Sequence, residues 1–399
     1  MMSDVKSLKQ AVMPIIWLNC LCCMGVFEMP INRPRYFLSG FYVISILIGY
    51  FCLFYEEIYI FQKLPIQASL IFSFVVMGVN IVVAVLAIIL FWCKSEKTNN
   101  IIKRSSIADS TLQALGIKLE YQKIHRNILC YVTVSLAIGI TLFIVHIAWM
   151  FHHVGYWAAV LSNICICFPA LINSVVDLTF VSFIRCVKVK FENTNILIKN
   201  IMLSTNESNV FMTHNRYDNT STTFDIENYK NNKDKIIHLI QTLRHLHLEI
   251  TRIGRQINQA YCLQLLLELA VHFTMVTSTL YCIYGVFSNQ LSVTINNEEI
   301  IALTMTASVF SLKIIFINWI CTNASTEAYK TGEIIQSFEG SIIDDDMREE
   351  IHQFTLQVVL NSLNFTATGF FSINNSLTGK FFATVSTYVV ILIQMNKFM

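Results

Sequence analysis

Five ionisable side chains lie inside long apolar stretches of the sequence, where a charge is costly and commonly has a function. They are His146, Asp177, Glu268, His272 and Lys313. Because a charged group in lipid needs a partner, we expect an ion pair between Lys313 and one of the two carboxylates. Such a pair would fix helix packing or take part in ligand sensing, and the residues themselves leave both roles open.

A polar seam follows one face of the last apolar stretch. Steps of three and four residues align Lys380, Thr384, Thr387, Ile391 and Gln394, whereas the other faces are mainly apolar. If several copies of this helix surround an axis, the seam lines a pore, with Gln394 as a ring of amides and Ile391 as a hydrophobic constriction. The alternative is a single amide that bonds across an ordinary helix interface.

A third group of side chains is aromatic and lies in the parts of the third to fifth apolar stretches that we place toward the outside, with Phe273 near the midpoint of the fifth. Its members are His146, Trp149, Tyr156, Trp157, Phe273, Tyr281 and Tyr284. Together they predict an outward-facing ligand pocket with an apolar body and a few polar tips. The alternative is a belt of Trp and Tyr at the membrane interface, which any membrane protein can have.

The composition places these residues in a membrane. Of 399 residues, 54% are apolar and only 14% are charged, and this excludes a soluble globular protein, in which about a quarter are charged. Seven apolar stretches are long enough to cross the hydrocarbon as helices: 36–55, 66–93, 128–149, 157–184, 261–287, 300–322 and 369–394. The predicted fold is all-α and polytopic, with seven transmembrane helices. The shorter stretch 11–27 is interpreted as an interfacial or re-entrant segment, with an eighth span as the alternative.

The distribution of basic residues predicts the orientation. The connections 1–35, 94–127, 185–260 and 323–368 carry 24 of the 28 Lys and Arg residues. The positive-inside rule therefore predicts a cytoplasmic N-terminus and an extracellular C-terminus. This topology is inverted relative to G-protein-coupled receptors and argues against that class. The polar stretch 203–235 predicts a disordered cytoplasmic insertion, and the helical periodicity of 236–260 predicts an amphipathic cytoplasmic helix, with a similar helix at 324–357.

The sequence lacks the motifs of several other functional classes. The sequence has no phosphate-binding loop, no zinc-hydrolase motif and no serine-hydrolase motif. We therefore predict no enzymatic activity, no cofactor, no metal site and no nucleic-acid partner. The twelve cysteines lie in or beside apolar stretches, which is typical of small buried apolar side chains rather than of a disulfide framework.

The last span also carries a recognisable motif. Thr387 and Tyr388 precede five apolar residues and Gln394, a pattern that resembles the TYhhhhhQF motif of the insect gustatory receptors; Met395 stands where that family has Phe. The resemblance implies a ligand-gated, non-selective cation channel built as a homo- or heterotetramer, with the seventh helix of each subunit lining the pore. It also implies a cytoplasmic anchor that holds the subunits together and a small-molecule tastant bound in an outward pocket.

The resemblance leads to a predicted organisation. Residues 1–35 form a cytoplasmic segment, 36–190 spans one to four with the loop 94–127, 191–260 a cytoplasmic loop with the disordered insertion and an anchor helix, 261–322 spans five and six, 323–368 a cytoplasmic anchor segment, and 369–399 the pore-lining span with a short extracellular tail. The expected location is the plasma membrane of gustatory neurons, in the dendrites. The apolar pocket residues favour bitter or plant compounds. The alternatives are a sugar-type gustatory receptor, an odorant receptor and, from another class, a secondary transporter.

Overall fold

The computed structural model describes the backbone of residues 5, 7–26, 35–61, 68–215, 223–288, 297–339 and 345–398. These residues form helices α1 (Leu8–Ala11), α2 (Met13–Leu21), α3 (Tyr36–Phe61), α4 (Ala68–Ala114), α5 (Tyr121–Val154), α6 (Tyr156–Asn215), α7 (Thr223–Phe287), α8 (Asn297–Glu339), α9 (Asp345–Leu360) and α10 (Asn375–Phe398), and strands β1 (Thr366–Ala367) and β2 (Phe371–Ser372). Seven helices, α3 to α8 and α10, are long and apolar enough to cross a membrane. The seven predicted spans are confirmed.

Four of the spanning helices are much longer than a bilayer is thick. Helix α7 has 65 residues and is therefore about 98 Å long, whereas the hydrocarbon is about 30 Å thick. Helices α4, α6, α7 and α8 continue past the membrane thickness at one end of the bundle. We call this end the extended end.

The long connections at the extended end are mostly helical. Helix α4 runs to Ala114 and α5 begins at Tyr121, so the prediction of a loop over 94–127 is wrong for most of that range. Prolonging a helix costs far less than nucleating one, and this extension buries Ile101, Ala108 and Leu112 in the main apolar core. Hydropathy alone marks where the membrane ends and not where the helix ends.

The segment 203–235 also differs from its prediction at both ends. Helix α6 continues to Asn215 and α7 begins at Thr223, so helix replaces the expected disorder in 203–215 and 223–235. Residues 216–222 lie outside the described residues. Both ends prolong helices that are already packed, which lowers the cost of adding further helical residues. The predicted amphipathic helix over 236–260 is present as part of α7, and α8 with α9 provides the helix predicted for 324–357.

The N-terminal segment lies against the bundle without crossing it. Helix α2 has nine residues and is therefore about 14 Å long, which is too short for a span. Asn19 accepts a hydrogen bond of 3.1 Å from Thr179 of α6, and the backbone carbonyl of Ala11 lies 3.3 Å from Nδ1 of His125 on α5. This geometry agrees with a non-spanning segment over 11–26, and residue 27 of the predicted segment lies outside the described residues.

The extended end has the largest apolar core. Phe180, Phe191, Leu243, Phe354 and Phe365 are buried there together, so α6, α7, α9 and the residues just before β1 share one core. Polar contacts join α7 to α9 at its rim, where Arg244 donates to Gln353 at 2.6 Å and lies 3.6 Å from Glu350. The core of the protein is therefore centred at the extended end.

A short β-ribbon precedes the last span. Strands β1 and β2 pair antiparallel, with Thr366 opposite Ser372 and Ala367 opposite Phe371. The turn needs positive φ at Thr368 (51°) and Gly369 (79°), which glycine adopts at little cost. The predicted span 369–394 thus begins too early, because α10 starts at Asn375. The all-α prediction holds for the described residues apart from this ribbon.

Candidate functional site

Helix α10 packs on its own chain through one face only. Phe381 and Val385 are buried in a cluster with Val271 of α7 and with Phe310 and Ile314 of α8. These contacts fix the rotation of α10 about its axis. They therefore decide which of its side chains remain uncovered.

The predicted seam lies outside that packed face. Lys380, Thr384, Thr387, Ile391 and Gln394 are all exposed in the single chain, Ile391 by 43%. The hydroxyl groups of Thr384 and Thr387 donate to the carbonyls of Lys380 and Ala383, at 2.8 and 3.0 Å. These bonds satisfy the hydroxyl protons within the helix and leave oxygen lone pairs on the exposed face. The seam is thus available to water or to another subunit.

Tyr388 of the motif connects α10 to α7. Its ring meets the ring of Phe273 edge to face, with centroids 5.4 Å apart, and Phe273 also packs edge to face on Phe381 at 6.1 Å. Phe273 was expected to line an outward pocket, but the structure places its ring between the fifth and seventh spans. Such aromatic pairs contribute about 0.5–1.5 kcal/mol beyond the area they bury.

Two of the predicted pocket residues do lie together. His146 Nε2 is 3.0 Å from Thr306 Oγ1 of α8, and the His146 ring packs edge to face on Trp149, with centroids 6.1 Å apart. Nδ1 of His146 is buried without a hydrogen-bond partner among the described residues. A buried imidazole nitrogen of this kind can bond to a polar group of a small ligand.

The remaining pocket residues are more exposed. Tyr156 is 56% exposed and Trp157 is 81% exposed, and their rings pack on each other with centroids 5.4 Å apart. Full exposure at the end of a span is typical of interfacial aromatic residues, so the belt interpretation applies to these two. Tyr281 and Tyr284 are half-buried on α7.

The buried ionisable residues form one cluster between α6, α7 and α8. Asp177, Glu268 and His272 are 5%, 2% and 1% exposed, and one ligand atom from each lies within 4.8 Å of the others. Lys313 interacts electrostatically with both carboxylates, but its ammonium group donates to Ser174 Oγ. Within the described part of the chain, the expected ion pair is not a direct contact, because Lys313 is not within 4.0 Å of either carboxylate.

Several polar partners were not identified from the sequence. Nothing in the sequence marks Ser174 and Thr306 as partners of other side chains, since hydroxyl groups are common in transmembrane helices and bond to their own backbone. Glu57 is 1% exposed and accepts a hydrogen bond of 2.7 Å from Ser162 of α6. Glu57 could have been identified from the sequence, because the first apolar stretch continues beyond it through Ile58, Tyr59, Ile60 and Phe61.

The prediction of buried cysteines without disulfides is only partly confirmed, because Cys52, Cys93 and Cys130 are exposed in the single chain. All twelve are free thiols. In the N-terminal segment, burial raises the pKa of Cys22 to about 12 and that of Cys23 to about 11. Both side chains are therefore protonated and unreactive at neutral pH.

The chain is similar to known chemosensory receptors in sequence. A family model described as 7tm chemosensory receptor matches residues 11–397. Gustatory receptor 28b of Drosophila melanogaster is 22% identical over 298 residues, which are 72% of this chain and 62% of that protein. Gustatory receptor for bitter taste 66a, from the same fly, is 26% identical over 170 residues, 41% of this chain and 32% of that protein. The matched region spans less than two thirds of the length of these curated relatives.

Solved structures show the same fold. The insect olfactory receptor OR5 from Machilis hrabei superposes with a TM-score of 0.70 at 9% identity, over 97% of this chain and 98% of that chain. The same receptor in complex with eugenol gives a TM-score of 0.61 at 11% identity, with the same coverage. At such low identity the likeness concerns the arrangement of the helices.

Proposed function

Because the chain belongs to the 7tm chemosensory receptor family, we propose that it is a gustatory receptor that acts as a tastant-gated, non-selective cation channel. The observation that carries the proposal is the uncovered seam of α10. Helix α10 packs one face on its own chain and leaves Thr384, Thr387 and Gln394 exposed. The two hydroxyl protons are bonded within the helix, but the carboxamide of Gln394 is costly to present to lipid. Four copies around an axis would place them against water in a pore.

The proposed assembly is a homo- or heterotetramer in the plasma membrane of gustatory neurons, in their dendrites. The extended end is cytoplasmic, since the connections at that end carry most of the Lys and Arg residues, and the C-terminus is extracellular. The large core of the extended end, shared by α6, α7 and α9, would form the anchor that holds the four subunits.

The proposed ligand is a small molecule bound between α5 and α8 near His146, Trp149 and Thr306. One buried imidazole nitrogen beside an aromatic ring suits a compact, mostly apolar molecule with one or two polar groups. A relative named for bitter taste and a structural relative solved with eugenol agree with bitter or plant compounds. A sugar would need more hydrogen-bond partners than these residues offer.

The proposed gate lies near the short-loop end of α10. Ile391 forms the hydrophobic constriction and Gln394 forms the ring of amides beside it. The Phe273–Tyr388 contact joins α7 to α10, so a ligand-driven shift of α7 would move the pore helix. The ligand shifts the gate only by its differential affinity for the open and closed states.

The test is a whole-cell current recording from cells that express this chain, challenged with bitter alkaloids and with sugars. Gln394→Ala should change permeation or gating of the evoked cation current. Ser386→Ala is the matched control, because Ser386 is exposed on another face of α10 and bonds to its own backbone at 2.9 Å; its current should equal the wild-type current. An evoked current that Gln394→Ala leaves unchanged would contradict the pore assignment.

A secondary transporter is the second candidate, favoured by the buried cluster of Asp177, Glu268 and Lys313. Charged groups inside a membrane domain commonly mark an ion pathway. A transporter would show saturable uptake of its substrate without unitary currents. Single-channel events in excised patches would exclude it.

A further inference from the structure

The cluster of Asp177, Glu268 and His272 contains more acceptors than donors. Both oxygens of each carboxylate and Nε2 of His272 are buried, and they have no hydrogen-bond partner among the described residues. Leaving charged acceptors unpaired in a dry interior is costly. Protons on the carboxylates or a cation bound among these atoms would remove that cost.

The hydrogen bond at the other ring nitrogen decides what His272 can offer. Its Nδ1 lies 2.5 Å from the backbone carbonyl oxygen of Glu268, and a carbonyl can only accept, so the proton is on Nδ1. In the neutral ring the lone pair is then on Nε2, which faces Asp177. This is the orientation in which metal-binding histidines are held, with Nδ1–H bonded to a carbonyl and Nε2 free to coordinate.

The distance between His272 and Asp177 suits a shared ion rather than a hydrogen bond. Nε2 of His272 is 3.6 Å from Oδ2 of Asp177, which is too long for a hydrogen bond. Two ligands that each lie about 2.1 Å from a tetrahedral zinc ion are about 3.4 Å apart. One atom of Glu268 completes a set in which all three ligand atoms lie within 4.8 Å of one another.

Lys313 is the nearby cation and has other contacts. Its ammonium donates to Ser174 Oγ and lies 5.2 Å from the centroid of the Phe310 ring. It acts on both carboxylates electrostatically without direct contact. It therefore reduces the negative charge of the cluster but leaves the carboxylate oxygens free as ligands.

We propose that Asp177, Glu268 and His272 bind one divalent transition-metal ion of the zinc type, with water as the fourth ligand. Two carboxylates and one imidazole are ligands that zinc accepts, and three protein ligands with one open position are common at zinc sites. The ion joins α6 to α7 inside the membrane domain. The proposal does not depend on channel activity.

The test measures metal binding to the full-length chain purified in detergent. Equilibrium dialysis with Zn²⁺ should give one ion per chain. His272→Gln should lower the affinity at least a hundredfold, since even partners of zinc ligands contribute tenfold to a hundredfold. His247→Gln is the matched control. His247 is a buried histidine on the same helix, and its Nε2 lies 3.2 Å from the Ala328 carbonyl oxygen. The Zn²⁺ affinity of this variant should equal that of the wild type.

The variant Lys313→Met distinguishes a metal-binding site from a cluster whose charge is balanced by Lys313 alone. Removing a neighbouring positive charge should raise the Zn²⁺ affinity tenfold or more if the cluster binds metal. An unchanged or weaker affinity in a folded Lys313→Met protein would overturn the proposal. So would stoichiometric binding that persists in His272→Gln, or no binding to the wild type.

The absorption spectrum of the Co²⁺-loaded wild type tests the ligand set without any variant. The proposed site contains nitrogen and oxygen ligands only, so the spectrum should show tetrahedral cobalt bands without thiolate charge transfer. A thiolate charge-transfer band would place the ion on the cysteines and overturn the proposal.

Discussion

A buried ion pair at the extended end gives the sharpest stability prediction. Lys190 of α6 and Asp109 of α4 are in direct contact, and the side chain of each is 4% exposed. The Lys190 ammonium also donates to the Ser105 carbonyl at 3.0 Å. Lys190→Met removes the cation and leaves the Asp109 carboxylate buried.

The expected cost of that single change is large. Removing one partner of a buried pair costs about 3–5 kcal/mol of unfolding free energy, because an uncompensated charge remains in a low-dielectric interior. Replacing both partners by apolar side chains of similar volume is often neutral or stabilising by about 1–4 kcal/mol. The double variant Asp109→Leu/Lys190→Met should therefore be at least as stable as the wild type.

The assay is thermal unfolding of the detergent-purified chain, followed by loss of the monodisperse peak in size-exclusion chromatography. Lys123→Met is the control, since Lys123 and Glu120 form an exposed pair at 3.5 Å with both side chains 65% exposed, which contributes less than about 1 kcal/mol. Lys190→Met should lower the unfolding temperature clearly, and Lys123→Met should leave it nearly unchanged. Equal unfolding temperatures of Lys190→Met and Lys123→Met, or a double variant less stable than the wild type, would refute the argument.

Three further predictions concern α10 and the extended end. Ile391→Ser should raise the basal current by wetting the constriction, and an unchanged closed channel would count against the pore assignment. Phe273→Ala removes an edge-to-face pair with Tyr388 worth about 0.5–1.5 kcal/mol, so dose–response curves should shift about two- to twelvefold if the pair exists in only one gating state. Gly254→Val should cost about 1–3 kcal/mol of stability by overpacking, because even a Cβ would lie 2.9 Å from Leu363 Cδ1; Leu363→Ala should restore part of the lost unfolding temperature.

The number of spans and the family could be predicted from the sequence. A transmembrane span is a local property of the sequence. Its backbone hydrogen bonds must form within one helix, and about 20 apolar residues are enough to cross the hydrocarbon. The motif around Thr387, Tyr388 and Gln394 is local as well. The periodicity of 236–260 likewise predicted a helix that α7 contains.

The ends of the helices could not be predicted in the same way. Hydropathy separates membrane from water, but the extensions of α4 and α6 are stabilised by packing at the extended end, where Leu112 and Phe191 are fully buried. The ribbon before α10 depends on positive φ at Thr368 and Gly369. Neither feature changes the apolar pattern from which the boundaries were predicted.

Which side chains meet was decided by the tertiary structure alone. The sequence placed Asp177, Glu268, His272 and Lys313 in the membrane, but the structure brings His272 Nε2 to 3.6 Å from Asp177 and bonds Lys313 to Ser174. It also places Phe273 against Tyr388. Contacts between helices depend on the rotation and tilt of each helix, and these are set by the packing of the whole bundle. The sequence therefore determines which side chains each helix carries, and the packing determines which of them lie within bonding distance.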